Sequence, residues 1–249
     1  MRYLLFVGLF GFLGLNALAQ TITVRNSLNP DVPVARDSLA IIEGDNFTDE
    51  QIFSPFSPLT VLGGVTVTID GIPQRIRSVS PTQVEIIVGG AGKASRALQL
   101  RTKFNVTHNT SINVSSVWPT LPVQSTGDDS EAYYPAGYWT IDPVGVSTQA
   151  VSSAPISVGP PTNPTKVIIQ ISGLRRGGGT KGISVRLNGI QCTVVLVGPS
   201  LFAGQNELTF QIPSFLAGNG VMDLIVTVDG RSSNPARLNL GSAAGLIGN

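Results

Sequence analysis

The sequence predicts an all-β protein that consists of two β-sandwiches in tandem. Two stretches support this prediction, residues 64–88 (GVTVTIDGIPQRIRSVSPTQVEIIV) and residues 182–212, because each contains three runs of alternating apolar residues separated by turn signals. Alternation with a period of two places every second side chain on the same face of a strand. We therefore expect a strand–turn–strand–turn–strand meander in each stretch, and two copies of one fold.

The composition is typical of a β protein that is rich in turns. Charged residues make up 12% of the 249 residues, and the chain has 28 glycines and 17 prolines. Without Arg2, which lies in the predicted leader, 16 − 1 = 15 basic residues face 15 acidic ones, so no nucleic-acid partner is expected. Cys192 is the only cysteine, which excludes a disulfide framework within the chain.

The first residues predict an export signal. Arg2 supplies the positive end, residues 4–15 form an apolar segment too short to span a bilayer, and the small residues around Ala19 form a cleavage site before Gln20. No later apolar stretch approaches about 18 residues, so no membrane insertion is expected after signal cleavage. We expect a secreted, extracellular or cell-surface protein, with the periplasm as a further possibility.

The first copy shows seven short alternating runs with turn signals between them, which predict an immunoglobulin-like sandwich of two antiparallel sheets. The expected strands are residues 21–26, 38–43, 65–69, 76–79, 84–88, 98–102 and 112–114. Residues 49–63 are expected to form a loop. Asp70-Gly71 and Asn188-Gly189 predict tight hairpin turns with positive φ.

The two copies align if insertions are confined to loops, which preserves the alternation within strands. In this alignment Gly44 corresponds to Gly173, Gly71 to Gly189, Val84 to Leu208, and Val114 to Leu240. The domain organisation that follows is a signal peptide at 1–19, a first sandwich at 20–117, an interdomain linker at 118–137, a second sandwich at 138–241 and a flexible tail at 242–249. The segments 138–141 and 149–158 are expected to be early strands of the second sandwich.

Specific motifs carry a family resemblance. The first copy contains SLAIIEGDNF, GVTVTIDGIP and VSPTQVEIIV, and the second contains GQNELTFQIPSFLAGNGVMDLIVTVDGRSSNPARLNL. Both copies resemble the IPT/TIG immunoglobulin-like fold, and in particular a repeat common in secreted bacterial proteins, over roughly residues 21–240. The resemblance implies a fold without a catalytic residue or cofactor, because these motifs encode turns and core faces.

Few residues could support catalysis or bind a metal. His108 is the only histidine and stands in a polar HNTS stretch, at a strand start or loop, so a Ser-His-Asp triad would have to use it. Cys192 in IQCTVVLV is expected to be a small core residue, and a zinc site is hard to build with one histidine and one cysteine. Two acidic clusters, residues 43–50 and 128–131, have oxygen ligands but lack EF-hand spacing, so no metal is expected.

Aromatic residues are the candidates for binding. They are Trp118, Tyr133, Tyr134, Tyr138 and Trp139 in and beside the linker, and Phe202 near the tip of the insertion 198–204. Sugar rings and peptide partners both stack on exposed aromatic faces. The alternative is that these rings fill the interface between the two sandwiches.

The expected function is therefore that of a non-enzymatic secreted or cell-surface protein that acts in binding, adhesion or as a spacer. The alternative is a carbohydrate-binding accessory module that uses the linker aromatics. A hydrolase that depends on His108 ranks below both. The expected partner is a protein or a polysaccharide.

Overall fold

The computed structural model describes residues 21–90, 95–125, 133–136, 138–142, 145–149, 154–174 and 179–243. The predicted export signal, the acidic run at 128–131 and the last six residues of the predicted tail lie outside these ranges. The described residues form β-strands and a single 3₁₀ turn, Ser214–Leu216, which confirms the all-β fold class. They contain no helix with the length and apolar character that a membrane span requires.

The first half of the chain contains short strands joined by tight turns. Its strands are β1 (Thr23–Asn26), β2 (Val34–Ala35), β3 (Leu39–Glu43), β4 (Ile52–Phe53), β5 (Val61–Leu62), β6 (Val65–Ile69), β7 (Ile72–Pro73), β8 (Arg75–Val79), β9 (Gln83–Ile87), β10 (Arg96–Arg101), β11 (Thr107–Ile112) and β12 (Val114–Ser115). β4 and β5 lie in the segment that the sequence assigns to a loop, and both are only two residues long.

These strands form two antiparallel layers around an apolar core. One layer has the order β1-β3-β9-β8-β4, and the other has the order β11-β10-β6-β5 with β7 paired to β6. Alternate residues of each strand point inward, and Ile42, Phe47, Val67, Ile86 and Leu100 are completely buried. β2 and β12 pair in parallel, which closes the sandwich at its end. We call the cluster of buried apolar residues between the two layers the first core.

The first copy is not the single meander that the sequence predicts. β6 belongs to one layer, whereas β8 and β9 belong to the other. The chain changes layers at Gln74, whose buried side chain donates to the Ile72 carbonyl (2.7 Å) and accepts from the Gly89 amide (2.6 Å). Pro73 has no amide hydrogen with which to continue the ladder. The prediction was wrong here because alternation reports which face is buried, not which sheet a strand joins.

The second half contains longer strands. They are β13 (Val123–Ser125), β14 (Tyr133–Pro135), β15 (Tyr138–Asp142), β16 (Gly145–Gln149), β17 (Ile156–Val158), β18 (Lys166–Ile171), β19 (Ile183–Leu187), β20 (Ile190–Pro199), β21 (Asn206–Gln211), β22 (Gly220–Val228), β23 (Arg231–Ser232) and β24 (Ala236–Ala243). β24 extends two residues into the segment that the sequence assigns to a flexible tail.

A meander does form in the second half. The strand order is β16-β15-β18-β21-β20-β19-β22-β24-β17, and β20 pairs with β19 through its first residues and with β21 through its later ones. β20 thus passes from one layer to the other without a break. The layers enclose a second core, in which Ile169, Val185, Phe210, Leu224 and Leu238 are completely buried.

The pairing of strands agrees with three of the four predicted correspondences and contradicts the match of Gly44 with Gly173. Ile42 pairs with Val84 whereas Ile169 pairs with Leu208, which places Ile171 at the position of Gly44. β9 lies between β3 and β8, as β21 lies between β18 and β20, which matches Val84 with Leu208. The parallel pair that closes each sandwich sets Val114 opposite Val34 and Leu240 opposite Ile156. Both copies also carry a register shift at equivalent places, one between Ile76 and Ser78 and one between Val194 and Leu196.

Part of the predicted linker packs into the second core. Leu121 of the predicted linker belongs to that core, and β13 pairs with β14. Val117, which the sequence assigns to the first sandwich, also belongs to the second core. The Asn234 side chain accepts from the Leu121 amide (2.9 Å) and donates to the Leu121 carbonyl (3.0 Å). A side-chain amide that satisfies both backbone groups removes the cost of burying them. The division into two independent domains stays a prediction, and its boundary is expected near residue 116.

We predict that a fragment 116–249 folds cooperatively and that a fragment 138–249 is less stable by at least about 2 kcal/mol, because the shorter fragment lacks Leu121 and leaves Asn234 without its partner. Urea unfolding of both fragments, followed by circular dichroism, measures the difference. The fragment 20–117 should show its own cooperative transition. Equal stability of 116–249 and 138–249, or an unfolded 20–117, would contradict this division.

The two predicted hairpin turns are confirmed. Asp70 and Gly71 have φ values of 50° and 77°, and Asn188 and Gly189 have values of 45° and 82°, as a type I′ turn requires. Nothing lies within 4 Å of a Cβ placed on Gly189, so only backbone conformation restricts this position. The sequence analysis missed a third turn of the same kind, at Asp229 (φ 47°) and Gly230 (φ 79°).

We predict that Gly189→Val destabilises the chain by about 1 kcal/mol or more, because a β-branched residue disfavours positive φ. Gly198→Val is the matched control, since Gly198 also has open space around its Cβ position but no positive φ. Thermal unfolding should show a lower Tm for Gly189→Val than for Gly198→Val. Identical melting of the two variants would remove the turn argument.

Candidate functional site

A cleft lies between the two halves of the chain, and we call it the Trp139 cleft. Its volume is about 450 Å³, within the range of small-molecule sites. It is lined by Arg77, Pro122, Ala136, Trp139, Gln170, Phe202 and Gln205. Arg77 comes from the first half and the other lining residues from beyond the first core. The cleft therefore exists only where the two halves meet.

Trp139 reaches the cleft because of its position on β15. Successive side chains of a strand point to opposite faces. Tyr138 is completely buried in the second core, so the next residue, Trp139, points away from that core and is half-buried. Trp139 lies opposite Ile168 of β18, whose side chain is also on the outer face. The alternation thus places the Tyr138 ring inside the second core and the Trp139 ring at the cleft.

Gln170 is a polar residue on the outer face of β18, yet it is only 4% exposed. Its neighbours Ile169 and Ile171 point into the second core. The Gln170 Nε2 donates to Glu207 Oε1 on the adjacent strand (3.3 Å). Its Oε1 is buried and has no hydrogen-bond partner among the described residues. An acceptor in this state is uncommon in folded proteins.

Arg77 is the extra residue of the register shift in β8, between Ile76 and Ser78. Such bulges redirect a side chain out of the regular alternation. The Arg77 Nη1 lies 3.5 Å from Glu85 Oε2, and the Ser27 hydroxyl also donates to the Glu85 carboxylate. The Arg77 Nε is buried and lacks a partner in the described part of the chain. The Arg77 Nε is therefore an unused hydrogen-bond donor, and the positive charge of its guanidinium is balanced by Glu85.

The Phe202 loop, residues 198–204, packs against the first half. The rings of Phe202 and Phe56 have centroids 5.4 Å apart, and the Ala203 amide donates to the Pro55 carbonyl (3.2 Å). A Cβ on Gly204 would stand 2.5 Å from Leu39 Cδ2, and Gly204 has a φ of 84°, so a side chain at this position would be strained. Phe202 remains 37% exposed at the cleft.

The structure divides the six predicted binding residues. Trp139 and Phe202 line the same cleft. Tyr134 and Tyr138 are 4% and 0% exposed, so neither presents a ring face to a ligand. Burial, followed by the nearby Tyr134, raises the pKa of Tyr138 to about 12. Tyr138 lies within the second core and not between the two sandwiches, so its ring does not fit the alternative of an interface filled by aromatics.

Trp118 lies apart from the cleft. The Arg231 guanidinium covers its ring at 5.1 Å from the centroid, which is a cation–π distance. The Trp118 amide donates to the Gly173 carbonyl (3.1 Å), so this residue ties the predicted linker to the second half. The backbone of Tyr133 lies in β14, and its side chain is outside the described set.

Sequence reasoning missed the polar part of the cleft. Arg77, Gln170 and Gln205 look like ordinary surface residues in an alternating pattern. One signal was available, because KVIIQI places Gln170 on the outer face of a strand whose other face is fully apolar. Its burial depends on the first half, which is distant in the sequence. No local pattern records that contact.

A second cleft, of about 420 Å³, lies on the other side of the Phe202 loop. Asp37, Arg75, Ser200 and Asn206 are among its polar lining residues, and Gln205 lines both clefts. It has no aromatic side chain in its lining. We therefore regard the Trp139 cleft as the better candidate for a binding site.

His108 and Cys192 occupy structural positions. His108 lies within β11, is 7% exposed, and its ring meets Phe47 edge-on at 6.0 Å between centroids. Cys192 is 1% exposed in the second core, which confirms the prediction of a core residue. Burial raises the pKa of the Cys192 thiol to about 11. A nucleophilic cysteine needs the opposite shift.

The acidic cluster near residue 45 is largely engaged with cations. Arg25 forms a two-point contact with Glu43 (2.7 and 3.0 Å), which lowers the pKa of Glu43. Lys103 contacts Asp49 and lowers the pKa of that carboxyl in the same way. Among the described residues, no group of three or more His, Cys, Asp or Glu side chains could hold a metal ion.

A family model matches part of the chain. The family model of the IPT/TIG domain matches residues 151–239. A search of curated proteins found no match. This region contains β17 to β23 and the first residues of β24, so the match falls on the second core.

Several solved structures match most of this chain at low sequence identity. Domains 5–6 of the S-layer protein SbsC are 13% identical, with 90% of this chain and 97% of that chain covered and a TM-score of 0.28. The Bacteroides ovatus mixed-linkage glucan utilization locus protein SGBP-B, in complex with a mixed-linkage heptasaccharide, is 12% identical, with 85% and 44% covered and a TM-score of 0.33. The fibronectin(III)-like modules of Clostridium thermocellum CbhA are 13% identical, with 92% and 98% covered and a TM-score of 0.22. At such TM-scores these likenesses carry no argument about function.

We predict that Cys192 reacts with a thiol-specific reagent at pH 8 at least about 100-fold more slowly in the native chain than in denaturant, because a raised pKa and burial both suppress the thiolate. Absorbance with an aromatic disulfide reagent measures the rate. A fast native reaction would show an accessible thiolate and would reopen the question of a reactive cysteine.

Proposed function

From the IPT/TIG domain that this chain carries at residues 151–239, we propose that it is a secreted or cell-surface, non-enzymatic protein that acts in binding, adhesion or as a spacer. The observation that carries this proposal is the Trp139 cleft, where both halves of the chain contribute to one concave surface. Binding residues in sandwich proteins concentrate on loops and edges, since the core faces are committed to packing.

The positions of the reactive residues support a non-enzymatic function. His108 packs beside the first core and Cys192 lies within the second, and neither lines the Trp139 cleft. A catalytic site needs a nucleophile and a base within hydrogen-bond reach of each other. Within the described residues we find no such pair at the cleft, and we propose that the chain recognises its partner without transforming it.

A spacer function is supported by contacts between the two halves. The Asn26 Nδ2 donates to Thr120 Oγ1 in a buried hydrogen bond (3.2 Å). The Phe202 loop adds the Phe56 ring contact and the Ala203 hydrogen bond. A small polar contact alone allows relative motion of neighbouring domains, whereas several contacts with apolar packing restrict it. We propose that these contacts hold the halves in one orientation.

The second candidate function is carbohydrate binding, and the make-up of the cleft favours it. Trp139 and Phe202 provide aromatic surface, and Gln170 and Gln205 provide side-chain amides. An apolar lining with a few polar groups that fix orientation is the usual form of a small-ligand site. We propose that Trp139 and Phe202 are the aromatic residues that contact the ligand, because the rings of Tyr134 and Tyr138 are buried and Trp118 lies apart from the cleft.

We predict that a Trp139→Ala, Phe202→Ala double variant loses at least about tenfold in affinity for its ligand, with a small change in Tm, because both side chains lie at the surface of the cleft. A glycan array followed by titration of any hit measures affinity. Phe215→Ala is the matched control, since Phe215 is 72% exposed and lies outside the cleft. Retained binding by the double variant would exclude the cleft as the binding site.

A companion variant addresses the buried rings. Tyr138→Ala should lower the stability by about 3–5 kcal/mol, as large-to-small changes of core aromatics do. Differential scanning calorimetry measures this loss. An unchanged Tm with lost binding would instead make Tyr138 a ligand contact and would contradict its assignment to the core.

A further inference from the structure

We propose that the Trp139 cleft binds a neutral sugar unit, whose ring stacks on Trp139 and one of whose hydroxyl groups bonds to both Arg77 Nε and Gln170 Oε1. This inference rests on the proposed carbohydrate-binding function and adds the chemical class of the ligand. It is carried by three observations: an aromatic surface, an unused donor and acceptor, and a balanced charge.

The aromatic surface is held in place by the fold. Trp139 is fixed by its place on β15, because the residue before it, Tyr138, is completely buried. Phe202 is braced by Phe56. Rigid aromatic side chains lose little entropy on binding, and the apolar C–H faces of a pyranose ring pack against them. The cleft therefore presents a preformed platform of the kind that a sugar ring needs.

The unused polar atoms are one donor and one acceptor. The orientation of the Gln170 amide is set by Glu207, since the carboxylate accepts only from Nε2, which leaves Oε1 as the free acceptor. The Arg77 Nε can only donate. A hydroxyl group both donates and accepts, so it has the hydrogen-bonding groups that both atoms lack. A carboxylate or a carbonyl could satisfy Arg77 but not Gln170.

The ionic groups of the cleft are already paired. Glu85 lies against the Arg77 guanidinium, and Ser27 donates to the same carboxylate. The remaining polar lining residues, Gln170 and Gln205, are neutral. An acidic sugar would bring a further negative charge close to Glu85 and Glu207. None of the described lining residues offers an unpaired cation to balance this charge, which raises the cost of desolvating the ligand. The site therefore selects against uronates and sulfated sugars.

Arg77 Nε and Gln170 Oε1 are shielded from solvent in the structure. A ligand reaches them through rotation of these side chains, which is common when interfaces form, while the backbone stays in place. Arg77 stands at a β-bulge, where the strand departs from regular pairing. The equivalent residue of the second copy is Val195, at the matching register shift, so the polar group at this place is specific to the first copy.

Calorimetric titration of residues 20–249 tests the proposal with four probes: the β-1,4-glucose, β-1,3-glucose and β-1,4-mannose hexasaccharides, which are neutral, and hexagalacturonate, which is acidic. We expect at least one neutral probe to bind and hexagalacturonate to bind at least about tenfold more weakly. Trp139→Ala should abolish binding of the neutral probe, and Phe215→Ala should leave it unchanged. Gln170→Leu should weaken it at least about fivefold, since the acceptor is lost at similar volume.

Arg77→Lys separates the donor from the charge, because lysine keeps the partner for Glu85 but has no Nε donor at this position. It should weaken the neutral probe by a similar factor, and it provides a second variant if Gln170→Leu fails to fold. Wild-type affinity in both variants would overturn the hydroxyl contact.

The remaining outcomes separate this inference from the function on which it rests. Preference for hexagalacturonate would overturn the neutral-sugar inference and keep carbohydrate binding. Binding of a neutral probe that Trp139→Ala does not affect would overturn the site and keep the function. Failure of every probe, together with an empty glycan array, would overturn both.

Discussion

The close packing of the Phe202 loop on the first half is the contact on which the candidate site depends. Gly204 approaches Leu39 so closely that a Cβ would stand 2.5 Å from a methyl carbon, and the Ser172 hydroxyl donates to the Gly204 carbonyl (2.8 Å). Glycine is the residue that permits such a backbone approach. Because the cleft has walls from both halves, its shape follows from this contact. A larger residue at position 204 would have to displace the Leu39 side chain and adopt an unfavourable positive φ.

The two halves solve the same packing problem in different ways. Each places an apolar core between two layers with the same order of strands. In the second half β20 runs unbroken between layers, whereas in the first half Gln74 interrupts the equivalent path and satisfies the freed backbone groups. Both halves have a register shift at this place, and the extra residue is Arg77 in the first half and Val195 in the second. Retention of these local irregularities is consistent with duplication of one ancestral fold.

Strand parity explains why only part of the aromatic group can reach a ligand. Tyr138 and Trp139 are adjacent in the sequence and therefore lie on opposite faces of β15. Trp139 was predictable as a surface residue once Tyr138 was placed in the core. The polar residues Arg77 and Gln170 were not predictable, since their burial arises from contact between halves. In the candidate site, the position of Trp139 thus follows from the local sequence pattern, whereas the burial of Arg77 and Gln170 follows from the contact between the two halves.

The sequence by itself determined the all-β class, most of the alignment of the two copies and the hairpin turns at Gly71 and Gly189. These depend on alternation and turn chemistry over a few residues, which act in any context. Only the tertiary structure decided that Leu121 joins the second core through Asn234, 113 residues away, and that the halves enclose a cleft. Such contacts join segments distant in the chain, and their free energy depends on surfaces that exist only after both sandwiches have formed.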